Sequence, residues 1–99
     1  MNYFIGIDIG TTGAKAVLMD VNGIVVTTAT NEYPMFTPQP LWAEQNPEEW
    51  WNATCKSIRN VLSQSKVNAK DVKGIGLTGQ MHGLVTIDSN GKVLYPCIM

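Results

Sequence analysis

Apolar and polar positions change their period several times along the chain, and each change marks an element. Residues Asn2 to Ile9 alternate and then run apolar, which predicts a central strand buried on both faces. Gly10, Thr11, Thr12 and Gly13 interrupt the run as a turn, and Ala14 to Met19 resumes an apolar strand. Asp20, Val21, Asn22 and Gly23 supply a second turn whose Asn-Gly pair tolerates positive φ, and Ile24 to Thr30 follows as a β-branched third strand. Three strands joined by such short turns make an antiparallel meander, with the polar Gly10–Gly13 loop at one end of the first hairpin.

Between Tyr33 and Gln45 the prolines Pro34, Pro38 and Pro40 predict extended loop without regular structure. A helix then starts on strong signals: Asn46 as cap, Pro47 at the first helical position and Glu49 where a capping-box carboxylate reaches back. Trp50, Trp51, Thr54, Ile58, Val61 and Leu62 recur at steps of three and four, a stripe that must face a sheet, and the helix ends near Lys66. Val72 to Thr78 reads as a further buried strand, parallel to the first because a helix connects them. After the loop Gly79 to Gly83, the segments Leu84–Ile87 and Lys92–Tyr95 form a hairpin around Asp88, Ser89, Asn90 and Gly91.

Composition narrows the class without naming a function. A length of 99 residues allows one small domain at most. A hydrophobic fraction of 44% with 15% charged residues fits a globular protein and opposes disorder, and no apolar run approaches membrane length. The formal charge of −1 and the scattered basic residues give no field for nucleic acid or acidic membranes. Cys55 and Cys97 are too few for a disulfide scaffold and lack metal-ligand spacing, so both are expected as buried thiols. The N-terminus enters a strand pattern without a signal-peptide layout, which makes a cytoplasmic location the expectation. The chain stops on the apolar run LYPCIM, which suggests a piece of something longer.

The candidate chemistry sits where the first strand ends. A Gly-Thr-Thr-Gly hairpin turn can point several backbone N–H groups into one concavity, and the hydroxyls of Thr11 and Thr12 add donors. That arrangement cradles phosphate. Lys15 supplies a mobile positive charge just beyond the turn, and Asp8 at the strand end suits a hydrated magnesium ion, which takes one or two carboxylates and keeps its waters. The competing reading is purely structural: Gly10 and Gly13 permit a tight hairpin, and Asp8 caps it through its own backbone.

IGIDIGTTGAKAVLMD resembles the first phosphate motif of the actin-like ATPase superfamily, which includes sugar kinases, Hsp70-type chaperones and actin. LWAEQNPEEWW followed by GIGLTGQMHGLVTID is similar to the N-terminal domain of FGGY-family carbohydrate kinases, and the Gln-Met-His-Gly loop looks like that of xylulokinase-like members. The resemblance covers Tyr3 to Met99. It implies an α/β fold of the ribonuclease H-like (actin-like ATPase) type, with residues 1–99 forming a partial N-terminal domain of meander, crossover helix and further strands. The nucleotide-binding C-terminal domain would lie outside this chain.

The same resemblance implies residue roles. Asp8 is expected at the magnesium and phosphoryl-transfer site, Thr11, Thr12 and Gly13 near the phosphates of ATP with Lys15 beside them, and Gln80, Met81 and His82 at the sugar. The His82 imidazole can donate to one hydroxyl and accept from another, while the Met81 thioether packs on the apolar face of the carbon chain. As the only histidine, His82 is also a formal candidate for catalytic base. In the family that base is an aspartate beyond these residues, so a ligand contact is the better reading. Gln80 can instead order the loop. Trp42 is expected to pack its loop on the core, Trp50 and Trp51 to bury against the sheet, and Cys55 to sit in the core; Glu44 and Gln45 receive no ligand role.

The implied reaction is transfer of the ATP γ-phosphoryl group to the 5-hydroxyl of D-xylulose, with closure of two domains excluding water. The fragment alone is expected to be inactive. Its partners would be a sugar and ATP, with homodimerisation open to the intact protein. Another sugar or polyol kinase acting on gluconate or glycerol is the nearest alternative. A non-catalytic or chaperone-like ATP-binding member is the more distant one, and the Gln80–Gly83 loop argues against it.

Overall fold

The computed structural model describes residues 1–99. β1 (Tyr3–Ile9) and β2 (Gly13–Asp20) pair antiparallel from Tyr3 opposite Asp20 to Ile9 opposite Ala14, and β3 (Val25–Glu32) continues the meander. β4 (Glu44–Gln45), α1 (Pro47–Ser65), β5 (Val72–Thr78), β6 (Leu84–Ile87) and β7 (Val93–Ile98) follow. β5 joins β1 in parallel, as expected from the helical crossover, so the main sheet runs β3-β2-β1-β5. A second sheet, β4-β7-β6, lies beyond it. The pair gives a long body of 48 × 30 × 21 Å, whose radius of gyration of 15.4 Å exceeds the ~13 Å of a compact domain this size.

Both tight turns of sequence Asp-x-Asn-Gly are built alike. Asp20 Oδ1 accepts from the N–H groups of Asn22 (2.8 Å) and Ile24 (3.0 Å), and Asp88 Oδ1 from Asn90 (2.8 Å) and Lys92 (2.9 Å). Only the glycines, Gly23 and Gly91, take positive φ (78° and 80°); the asparagines do not.

The Asn46 side chain caps α1 by accepting from the Glu48 N–H at 3.1 Å, with Pro47 at the first position, and Lys66 closes the helix at φ 60°. The buried face of the helix is Ala53, Ser57 and Val61. This departs from the expected stripe. Trp51 is 66% exposed and Cys55 only half-buried, while small Ala53 and Ser57 let the helix axis approach β2 and β3 closely. The Ser57 hydroxyl donates to the Ala14 carbonyl at 3.0 Å and accepts from Asn31 Nδ2 at 2.8 Å, stitching α1 to both strands.

The core is Ile5, Ile7, Ala16, Leu18 and Val61, with Ala14, Tyr33 and Ala53 as a second cluster. Odd-numbered residues of β1 therefore face the helix, and even-numbered ones face outward. The expected burial of β1 on both faces is corrected: one helix covers one face, and Phe4 and Asp8 lie on the open side. β5 is corrected likewise. It is an edge strand that α1 does not cover, leaving Ile75 and Leu77 57% and 77% exposed.

The Tyr33–Gln45 segment is not wholly irregular. Glu44 and Gln45 pair with Ile98 and Cys97, and Phe36 bridges Glu44. Trp42 is half-exposed rather than packed in the core. Of the two thiols only Cys97 is buried. No helix is long and apolar enough to cross a membrane.

Candidate functional site

Asp8 occupies the last outward-facing position of β1. Register places Lys15 of β2 on one side of it and Thr78 of β5 on the other. The three side chains head a groove of about 330 Å³ on the open face, floored by Gly6, Val17 and Gly76. The strand period settles the direction of Lys15: it shares a face with Asp8, opposite the buried Ala14 and Ala16. The Asp8 charge also reaches Tyr33, whose phenol is pushed above its ordinary value by burial and then by that carboxylate.

The Gly10–Gly13 turn closes with the Gly10 N–H donating to the Gly13 carbonyl at 3.0 Å. Its other carbonyls are held from within the protein. Gly10 O accepts from the Tyr33 hydroxyl and from Gln80 Nε2 at 3.3 Å, Thr11 O from Gln45 Nε2 at 2.6 Å, and Thr12 O from the Tyr33 N–H at 3.1 Å. All peptide bonds are trans, so the N–H of each unit points opposite to its C=O. Carbonyls pinned inward thus turn the Thr11 and Thr12 amides outward, and neither donates to any group in the chain. A pair of outward amides with exposed threonine hydroxyls is a ready anion cradle.

Gly13 has a different duty. A Cβ there would stand 2.5 Å from the Asn31 carbonyl oxygen, so the close approach of β3 demands the glycine irrespective of any ligand. This part of the turn follows the structural reading.

The second loop adjoins the first. Gln80 is half-buried and donates through Nε2 to both Gly10 O and, at 3.1 Å, Gln45 Oε1. Met81 and His82 are exposed, and their side chains form no hydrogen bond within the chain. Gly83 abuts the core, since a Cβ there would lie 2.9 Å from Cys97 Sγ. Between the loop and α1 is a hollow of about 290 Å³ lined by Ile9, Trp50, Gly79, Gln80, Gly83 and Val85.

Sequence reasoning missed Gln45, Tyr33 and Glu44. Gln45 is fully buried and bonds Thr11, Gln80 and Trp50, whose Nε1 donates to Gln45 Oε1 at 3.0 Å. Glu44 is buried as well and accepts from the Tyr95 hydroxyl at 2.6 Å. Adjacent polar residues in a proline-broken stretch give no periodic signal, and only the β4–β7 pairing brings them inward.

A single carboxylate beside outward amides fits a magnesium ion that keeps most of its water, and no cluster of three or more His, Cys, Asp or Glu offers a protein-built cage. Residues 3–99 match the model of the FGGY family of carbohydrate kinases, N-terminal domain. The chain belongs to this family. Xylulose kinase from Escherichia coli (strain K12) is 42% identical over 96 residues, which are 97% of this chain and 19% of that protein. Gluconokinase from Bacillus subtilis (strain 168) is also 42% identical, over 97 residues, 98% of this chain and 18% of that protein. A crystal structure of a "xyloylose kinase" from Brucella ovis superposes with a TM-score of 0.94 at 37% identity, covering 99% of this chain and 21% of that one. The chain thus spans about a fifth of the length of the relatives it matches. The expected actin-like ATPase fold of FGGY kinases holds, and the chaperone-like alternative is set aside.

Proposed function

We propose that the full-length protein carrying this chain is an ATP- and magnesium-dependent cytoplasmic kinase that phosphorylates the 5-hydroxyl of D-xylulose, giving D-xylulose 5-phosphate. The observation that carries this reading is the bond from Gln80 to the Gly10 carbonyl, which ties the Met81–His82 loop to the amide-bearing turn. Phosphoryl transfer requires an acceptor hydroxyl beside the donor phosphate, and two loops joined at 3.3 Å supply that adjacency.

In this reading the Thr11 and Thr12 amides and hydroxyls hold phosphate oxygens, and Lys15 adds charge. Asp8 would hold magnesium, which neutralises charge on the transferring group. Met81 lies along the carbon chain of the sugar, and His82 exchanges hydrogen bonds with its hydroxyls. Gln80, already engaged within the protein, orders the loop in preference to touching substrate. The base that accepts the hydroxyl proton comes from residues beyond this chain.

Gluconate is the second reading, because the Bacillus subtilis gluconokinase matches this chain at the same identity as the Escherichia coli xylulose kinase. A coupled ADP-release assay of the full-length protein with D-xylulose, gluconate and glycerol decides between them. Turnover with D-xylulose at the highest kcat/KM is the expected result. Turnover confined to gluconate or glycerol overturns the substrate and keeps the class.

A further inference from the structure

Gln45 is the one side chain bonded to the turn, the loop and the helix at once. Its amide orientation is fixed by its neighbours: the Trp50 indole N–H can only donate and the Thr11 carbonyl can only accept, so Oε1 faces Trp50 and Nε2 faces Thr11. The remaining lone pair of Oε1 takes the Gln80 amide. The side chain is fully buried, and β4 holds its backbone against Cys97 of β7. Displacing Gln80 or the turn therefore breaks a bond to Gln45 that no other side chain of the protein is placed to replace.

We infer that Gln45 is a positioning residue that couples occupancy of the sugar loop to that of the nucleotide turn. This rests on the kinase reading above. A sugar that fixes the Gln80–Gly83 loop holds the Gln80 amide on Gln45, which in turn fixes Thr11 and the outward direction of the Thr12 amide. Each ligand then removes part of the ordering cost of the other, and the effect is reciprocal. Gln45 touches neither substrate.

Gln45→Glu discriminates. A carboxylate keeps the size and still accepts from Trp50 and Gln80, but cannot donate to the Thr11 carbonyl. The quantity to read in the full-length protein is the ratio of Kd values for a non-hydrolysable ATP analogue without and with saturating D-xylulose. A ratio of about fivefold or more is expected in the wild type, falling to about twofold in the variant, in which only the direct Gln80–Gly10 bond still joins loop and turn. Gln80→Met cuts both the link through Gln45 and the direct bond to Gly10 and should bring the ratio to about one, which serves if Gln45→Glu does not fold. Val61→Ala, which opens space in the core beside Ile5 and Leu18 and not beside either loop, should lower Tm and keep the ratio. A wild-type ratio of one, with both ligands bound, overturns the coupling and leaves the kinase reading intact. An undiminished ratio in Gln45→Glu, or in Gln80→Met, also overturns it.

Discussion

Cys97 Sγ fills the space into which any side chain at Gly83 would project, 2.9 Å from the position of its Cβ. Cys97 is fully buried on β7. The loop carrying Met81 and His82 is thus seated on the second sheet by a glycine–sulfur contact. Gly83→Ala should cost about 1–3 kcal/mol through overpacking. Combined with Cys97→Ala it should cost less than the two single changes together, because the missing sulfur makes room. Urea unfolding of the three variants checks this; strict additivity would refute the contact.

Gly13→Ala should be the most damaging change in the Gly10–Gly13 turn. Its Cβ would meet the Asn31 carbonyl oxygen at 2.5 Å and Glu32 Cα at 3.0 Å, both backbone atoms. A loss of about 2 kcal/mol or more is expected from the forced separation of β2 and β3. Gly10→Ala meets its nearest atom at 3.4 Å, an ordinary contact, and should be much milder. Comparing the two midpoints in one denaturation series tests the distinction.

Asp8→Asn separates folding from chemistry. The side chain is exposed on the open face, so unfolding free energy should move by no more than about 0.5 kcal/mol. In the full-length protein kcat for the proposed phosphoryl transfer should fall by about 10²-fold or more, the loss expected if Asp8 helps stabilise transferring charge. A large loss of stability with retained kcat would reverse the assignment.

His82→Ala should raise KM for D-xylulose by about tenfold, equivalent to one lost hydrogen bond of about 1.4 kcal/mol, while KM for ATP changes less than about twofold. Steady-state kinetics on both substrates gives the answer. Equal effects on the two would remove His82 from the sugar side.

Stability should decline on the alkaline side. Burial pushes the Cys97 thiol above its ordinary 9.0, partly offset by a backbone bond at Leu84, and burial followed by the Asp8 charge pushes the Tyr33 phenol above 10.0. The unfolded chain therefore releases these protons first as pH rises. Stability is fully present below the ordinary values and is lost through the interval up to the raised ones. Tyr33→Phe should flatten the slope above about pH 10, measured by urea unfolding from about pH 8 to about pH 11.

Legibility followed the range of the forces. The meander, both Asp-x-Asn-Gly turns and the Asn46–Pro47 helix start rest on neighbours within a few residues, and sequence states them directly. The parallel placement of β5 also followed, from a connectivity rule. The buried side of α1 did not, because Ala53 and Ser57 are buried by how closely two strands approach the helix, while the larger Trp51 faces outward. Gln45 was hidden for a related reason. Its three bonds reach Thr11, Trp50 and Gln80, and two of those partners are more than thirty positions away. Asp8 and the threonine turn were readable because a strand end and a short loop fix their relative places, whereas the direction of Lys15 had to await the β1–β2 register.

The uncovered margin at β5 has a practical meaning for anyone handling the 99-residue polypeptide by itself. Along that rim a row of amide and carbonyl groups is unclaimed, and Ile75 and Leu77 protrude beside it; the one charge of the strand, Lys73, sits nearer its start, where its Nζ donates to the Lys70 carbonyl at 2.8 Å. The opposite rim, β3, exposes Val25 and Val26 at its start and is otherwise mainly threonine, asparagine and glutamate. Sideways accretion of copies should therefore begin at Val72–Thr78 and increase with concentration, and a single lysine in place of Leu77 should suppress it.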